Sequence, residues 1–242
     1  MSPNHLSNQE TQHQPLTVSL DSQETIFDVV QEAVFELWNV VNGLTSIQSP
    51  KRERYRVTIF GSARIEENTP IYQDVRRLAS ELTKIGCDIV TGGGPGLMAA
   101  ANEGSVIADL HNQTQSIGIR VDLEFDQDTN PFVEQVYKHR TFFSRLHHFV
   151  LVSDAFVVFP GGIGTSLEAF MIWQLLQVRQ IHGKPLIFVG KMWSELVEWA
   201  TENMVNGQFQ MADPIDMKIP YCVNNVDEAM VILRQFNEQQ KW

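Results

Sequence analysis

From Tyr55 onward the chain alternates short apolar runs with longer stretches in which apolar residues recur every three or four positions. YRVTIF, CDIVT, SIGIRVDL, AFVVF, LIFVG and IPYCV read as strands. Between them lie helical patterns. Tyr72 to Ile85 places Val75, Leu78, Ala79 and Leu82 on one face, and a second helix runs from about Gly96 to Ala108. Further helices are expected over Phe142–Val152, from Thr165 to about Ile181, over Trp193–Met204 and over Val226–Phe236. A turn at Gly183, Lys184 and Pro185 separates the fourth helix from LIFVG. Repeated strand–helix units with apolar strands predict an α/β protein, its doubly wound parallel sheet covered on both faces.

The first part of the chain follows a different pattern. Residues 1–20 are rich in Gln, Asn, Ser, His and Thr and read as a disordered tail. Ile26, Val29, Val30, Ala33, Val34, Leu37 and Val40 then fall at helical spacing, with Asp21 or Ser22 as cap. Residues 21–54 are therefore expected to be an extra N-terminal helix and linker, ahead of a single domain over 55–242.

Composition narrows the partners. At 242 residues the chain can bury a full core. Its formal net charge of −11 argues against a broad nucleic-acid or anionic-membrane surface, but leaves room for a local basic pocket. The first fifty residues hold no Lys or Arg, while carrying Glu10, Asp21, Glu24, Asp28, Glu32 and Glu36. Cys87 and Cys222 lack metal or redox spacing and read as free thiols of a reducing compartment. With neither a long apolar run nor a basic-then-hydrophobic leader, a cytoplasmic protein is expected.

The candidate chemistry lies where strands give way to glycine. After the first strand, Gly61-Ser62-Ala63-Arg64 offers Ser62 or Arg64 to a nucleotide, or is a plain turn with Arg64 in solvent. It is not the dinucleotide fingerprint GxGxxG. Gly92-Gly93-Gly94-Pro95-Gly96 is a stronger signal, because consecutive glycines cost backbone entropy unless a close or left-handed path requires them. Pro95 suits a first helical turn. Leu97 and Met98 suit the core, and Met98 is also a pocket candidate.

Pro160-Gly161-Gly162-Ile163-Gly164-Thr165 follows AFVVF and opens a helix. It lacks the lysine of a P-loop and suits one monophosphate, held by backbone N–H groups, the Thr165 hydroxyl and the helix N-terminus. Glu168 has two readings. It closes a capping box with Thr165 as N-cap, or its carboxylate stands at the pocket mouth beside a sugar. Upstream, Lys138 to His148 gathers basic and imidazole groups, and either Arg140 or Arg145 could clamp a phosphate. His147 and His148 cannot both face one metal on a helix and HExxH is absent, so no metal is expected.

These residues resemble a known family. GGGPGLMAAANEG (Gly92 to Gly104) together with PGGIGTSLE (Pro160 to Glu168) is similar to the Rossmann-like "lonely guy" nucleoside 5′-monophosphate phosphoribohydrolases and their bacterial relatives, many once labelled possible lysine decarboxylases. The family pattern PGGxGTxxE is met in full, and the likeness covers about Tyr55 to Phe236. The resemblance implies that Arg145 is the active arginine, working with Glu168, although Leu146 stands where the family usually has lysine. It further implies a homodimer that cleaves AMP or a modified adenine nucleotide to free base and ribose 5-phosphate without a cofactor. None of Lys84, Lys138, Lys184 and Lys191 is placed to carry pyridoxal phosphate. Some relatives on this scaffold look like carriers of a phosphorylated cofactor such as molybdenum cofactor. The intact Arg145–Glu168 pair favours an enzyme over such a carrier.

Overall fold

A computed structural model describes residues 54–122 and 128–240, together with Phe27, Val30, Gln31, Glu32 and Val34. The chain divides into two units, Met1–Pro50 and Lys51–Trp242. In the first, the five described residues are α-helical. The rest of the expected N-terminal helix and linker, and the 1–20 tail, lie outside the described residues.

The second unit is a seven-stranded, wholly parallel sheet. Its elements run β1 (Arg56–Phe60), α1 (Pro70–Lys84), β2 (Asp88–Thr91), α2 (Leu97–Ala108), β3 (Ser116–Val121), β4 (Gln135–His139), α3 (Phe142–Val152), β5 (Ala155–Val158) and α4 (Ile163–Gln177). They continue with β6 (Leu186–Val189), α5 (Lys191–Ala200), β7 (Pro220–Val223) and α6 (Val226–Gln240). The strand order β4-β3-β2-β1-β5-β6-β7 is that of a doubly wound, Rossmann-like sheet.

Alternate residues of each central strand enter opposite cores, as the pleat requires. Val57, Ile59, Ala155 and Val157 pack with α1, α2 and α6. Phe60, Phe156 and Val158 pack with α3, α4 and α5. Thr58, buried in mid-strand, is satisfied by the Ser153 hydroxyl. Asp88, buried at the amino end of β2, takes Arg54 at 2.9 Å and Arg56 at 3.0 Å, so its charge is paired.

β4 is absent from the expected elements. It is an edge strand whose residues alternate half-buried and exposed, and QVYKH carries too few apolar residues to announce it. The expected helix from Thr165 to Ile181 begins and ends earlier, at Ile163 and Gln177. Likewise the Trp193–Met204 pattern divides into α5 and a π-helical turn over Thr201–Val205.

Winding reverses between β1 and β5, so the loops leaving them diverge to opposite faces and open a crevice at the carboxyl edge. Gly61, Gly92–Gly94 and Pro160–Gly162 all lie on that edge, following β1, β2 and β5. Ser62 N donates to Pro160 O at 3.2 Å across the crevice, and Leu97 N donates to Ser62 O at 2.9 Å. At Gly96 φ is +67°, and an added Cβ would strike Ser62 O and lie 2.6 Å from Ala63 C. Gly96→Ala should therefore cost about 2–3 kcal/mol in urea denaturation, from left-handed strain plus the backbone clash. Gly162 has open space above it, and Gly162→Ala should cost about 1 kcal/mol or less. Equal losses would contradict this account of the crevice.

Candidate functional site

Two helices bring the site together. Thr141 caps α3, its hydroxyl accepting from Ser144 N at 3.2 Å. One turn further on, Arg145 donates from Nε to Ile119 O at 2.8 Å, and its guanidinium carbon lies 5.2 Å from the Phe149 ring centre. Arg145 Nη1 reaches Glu168 Oε1 on α4 at 3.1 Å. Both side chains are nearly withdrawn from water, 13% and 11% exposed. Burial pushes the Glu168 carboxyl up to about 7, with the charge and hydrogen bond of Arg145 pulling the other way.

The capping-box reading of Glu168 is overturned. Gly162, in extended conformation, is the N-cap of α4, so Thr165 is the third helical residue and Glu168 the sixth. The first helical bond is Ser166 N to Gly162 O at 2.9 Å. The amides of Ile163, Gly164 and Thr165 precede it and have no carbonyl one turn back to bind. The positive end of the helix dipole is concentrated there. A Cβ at Gly162 or Gly164 would meet nothing within 4 Å, and Gly162, Ile163 and Gly164 are exposed, so the start of α4 is open. Ile163 is 88% exposed on the rim. Thr165 is buried beneath the turn, where an added Cβ on Gly161 would run into its side chain.

The glycine loop after β2 closes another side. A Cβ at Gly92 would collide with Arg145 Nη2 and approach Met98 Sδ to 2.7 Å, and one at Gly94 would meet Met98 Cε at 2.8 Å. Met98 thus stands beside the ion pair, whereas Leu97 is core, packed under Gly61. Gly92, Gly94, Met98, Arg145 and Glu168 are brought together. Arg64 is not. Its N–H donates to Ser62 Oγ at 3.1 Å, and Arg64 lines a cavity of about 730 Å³ on the α1/α2 side with Tyr72, Pro95, Gly96, Asn130 and Phe132. Arg145, Glu168 and the Pro160–Thr165 turn take no part in that cavity's wall. The alternative arginine, Arg140, is exposed at the end of β4. Leu146 is buried, so the position after Arg145 faces the interior.

His148 of α3 and His139 of β4 are drawn into packing. His139 Nε2 and His148 Nδ1 share a hydrogen bond of 2.8 Å, and burial with nearby Arg145 holds His139 below its ordinary value. Among the described residues no group of three His, Cys, Asp or Glu side chains could hold a metal. No described helix is long and apolar enough to cross a membrane.

The family model described as "Possible lysine decarboxylase" matches residues 98–233, which take in Met98, Arg145, the Pro160–Thr165 turn and Glu168. The chain belongs to this family. A curated relative, the pyrimidine/purine nucleotide 5′-monophosphate nucleosidase of Escherichia coli K12, is 28% identical over 140 residues. That match covers 55% of this chain but only 30% of the relative. The fold is shared with the molybdenum cofactor carrier protein of Chlamydomonas reinhardtii, with TM-score 0.57 and 18% identity over 76% of this chain and 98% of that one. It is shared equally with the molybdenum cofactor binding protein of Rippkaea orientalis, with TM-score 0.57 and 17% identity over 76% and 97% of the two chains.

The decarboxylase chemistry in the family's description uses pyridoxal phosphate on a desolvated lysine, and the four candidate lysines do not fit it. Lys184 donates to Val150 O at 3.0 Å. Lys191 stands at the end of β6, but its side chain is 85% exposed and paired with Glu195. Lys84 and Lys138 are exposed.

Sequence reasoning missed a buried polar group behind the glycine loop. Asn102, Arg120 and Asn130 are all buried, and hydrogen bonds join them to Thr91, Ser116 and the loop carbonyls. The signal available was an amide amid small apolar residues at Asn102 and a charge inside a strand at Arg120.

Glu168 has a measurable consequence. Its folded value of about 7 lies above the ordinary 4.5, so the native state binds the extra proton between those two pH values. Stability is therefore expected to fall as pH rises from 4.5 to 7, by up to about 3 kcal/mol at 1.36 kcal/mol per pKa unit. Glu168→Gln should abolish that slope. The slope is the readout, because the substitution also removes the partner of Arg145. A slope that survives in the variant would assign it to another group.

Proposed function

We propose that the chain hydrolyses the N-glycosidic bond of a nucleoside 5′-monophosphate, AMP or a modified adenine nucleotide, to free base and ribose 5-phosphate. The observation that carries this reading is the buried Arg145–Glu168 pair beside an open helix N-terminus. The amides of Ile163, Gly164 and Thr165 receive the phosphate. Glu168 lies four residues beyond Gly164, roughly 6 Å along the axis. That span is comparable with the separation of phosphorus from the anomeric carbon in ribose 5-phosphate. Phosphate binding thus orients the sugar without touching the reacting bond.

Glu168 then faces the anomeric carbon or its water. As the C–N bond breaks, positive charge develops on the sugar, and the carboxylate stabilises it while orienting water for attack. Water adds its hydroxyl to the sugar carbon and its proton to the departing base. A carboxyl near 7 can both hold and release a proton at neutral pH. Arg145 keeps it partly ionised and, through Ile119 O, fixed in place. The nucleosidase named among the relatives supports this reaction class, through a match limited to part of its length.

Turnover should rise with pH through about 7 as Glu168 ionises, measured as adenine released from AMP. Glu168→Gln should lower it about 10²-fold or more while leaving AMP affinity nearly unchanged. Arg145→Ala should lower turnover and weaken binding. Near wild-type release by Glu168→Gln would remove the carboxylate from the mechanism. A wild-type protein that binds AMP without releasing base would point instead to a carrier of a phosphorylated ligand.

A homodimer belongs to the same proposal. On α4, Ile172 and Trp173 pack on the sheet, while Ile163, Leu167 and Phe170 are exposed. Such a surplus apolar face suits a second copy. Light scattering at micromolar concentration should give twice the chain mass, and Leu167→Glu should shift it toward the monomer. A wild-type monomer would refute the dimer.

A further inference from the structure

The loop Gly92–Gly94 has three glycines and no side chain to fix it, so its peptide planes are free to turn unless something outside holds them. The structure supplies the hold from one flank. Gly93 O accepts from Asn130 N at 3.0 Å and from Arg120 Nη1 at 3.1 Å. Gly94 O accepts from Asn130 Nδ2 at 2.9 Å. The same Nδ2 donates to Asn102 Oδ1 at 3.0 Å, which also accepts from Thr91 Oγ1 at 2.7 Å. Asn102 Nδ2 donates to Ser116 Oγ at 2.8 Å, so the orientation of this amide is fixed at both ends. Thr91 Oγ1 in turn receives Gly93 N at 2.9 Å.

In a trans peptide the carbonyl of one residue and the N–H of the next point in opposite directions. With Gly93 O drawn toward Asn130 and Arg120, the N–H of Gly94 is directed away from them. The other flank of the loop is the one against which Arg145 and Met98 press. A turned Gly93 peptide would present a carbonyl lone pair, in place of an N–H, to whatever binds beside Arg145.

We propose that Asn130 and Arg120 are positioning residues for the monophosphate site: they hold the Gly93 and Gly94 carbonyls on the far side of the loop, so that it shows the Gly94 N–H, and neither of those carbonyls, to an anionic nucleotide. The proposal rests on the hydrolase reading above and names the groups that prepare its pocket. β3 then serves both halves of the site, since Ile119 O fixes Arg145 and the neighbouring Arg120 fixes the loop.

The test uses the full chain. Asn130→Asp keeps the volume and the acceptor for Phe132 N, but sets an acceptor against Gly94 O and Asn102 Oδ1. Without ligand, amide exchange over residues 92–98 should quicken about tenfold or more, with β5 unchanged. AMP affinity by calorimetry should weaken about tenfold, while the pH midpoint of base release stays that of wild type. Arg120→Met should reproduce the effect, and Arg120→Lys, which retains a donor for Gly93 O, should recover most of it. Wild-type AMP affinity in both Asn130→Asp and Arg120→Met would overturn the proposal. So would exchange that quickens equally over β1 and β5, the mark of a general core defect. A wild-type protein that binds AMP without releasing base overturns the hydrolase reading alone, and one that binds no monophosphate overturns both.

Discussion

A carboxylate withdrawn from water must be met by a charge that is itself held in place, and at Glu168 this requirement ties α3, α4 and β3 into one unit. Isolated, the buried ion would cost several kcal/mol. Arg145 meets it at 3.1 Å, and could not do so as a free side chain, because ordering a long arginine is itself costly. Ile119 O and the Phe149 ring order it first. The compensation is incomplete, and for that reason the carboxyl sits near 7, not in the ordinary acid range.

The same carboxyl edge concentrates backbone polarity of both signs. Parallel strands end there, and every loop leaving them carries N–H and C=O groups that need partners. Around Gly92–Gly94 the carbonyls are taken up by Asn130 and Arg120. At Gly162–Thr165 the helix start leaves amides with no carbonyl one turn back, and its first residues are exposed. The crevice thereby becomes donor-rich in a protein whose net charge is −11. A favourable site for one small anion needs no basic surface, only carbonyls turned away and a helix turned toward it.

How much of this was legible in the sequence depends on the range of the interaction. The βα alternation is local, and it gave the parallel sheet and the shared edge of the glycine turns. Glu168 stands out because its family motif is a short string, Arg145 only because the resemblance implies an arginine on the helix ahead of it, and the structure brings the two into contact. Thr165 leaves two readings open, since threonine three residues before glutamate also spells a capping box, and only the extended backbone at Gly162 shows where α4 starts. β4 escaped because an edge strand buries too little to be apolar. Asn130 escaped for a deeper reason. It meets carbonyls 36 and 37 positions earlier in the chain, and a turn-rich stretch such as DTNPF carries no local mark of that. Arg64 shows the converse: a motif position can be read correctly as following a strand and still face a different recess.

The geometry also weighs on the choice between hydrolase and carrier, since both would use the same helix N-terminus. To a protein that only holds an anion, a carboxylate on the helix that binds it is a slight disadvantage. Like charges repel, and the Arg145 guanidinium 3.1 Å from Glu168 keeps that cost small. The cost is the same at every moment for a static ligand. For a ligand whose sugar becomes positive as its base departs, the sign reverses at the reacting carbon, and the same carboxylate turns from a ground-state burden into transition-state stabilisation. The pair ties α3, α4 and β3 together under either reading, and the hydrolase reading gives its carboxylate a further use.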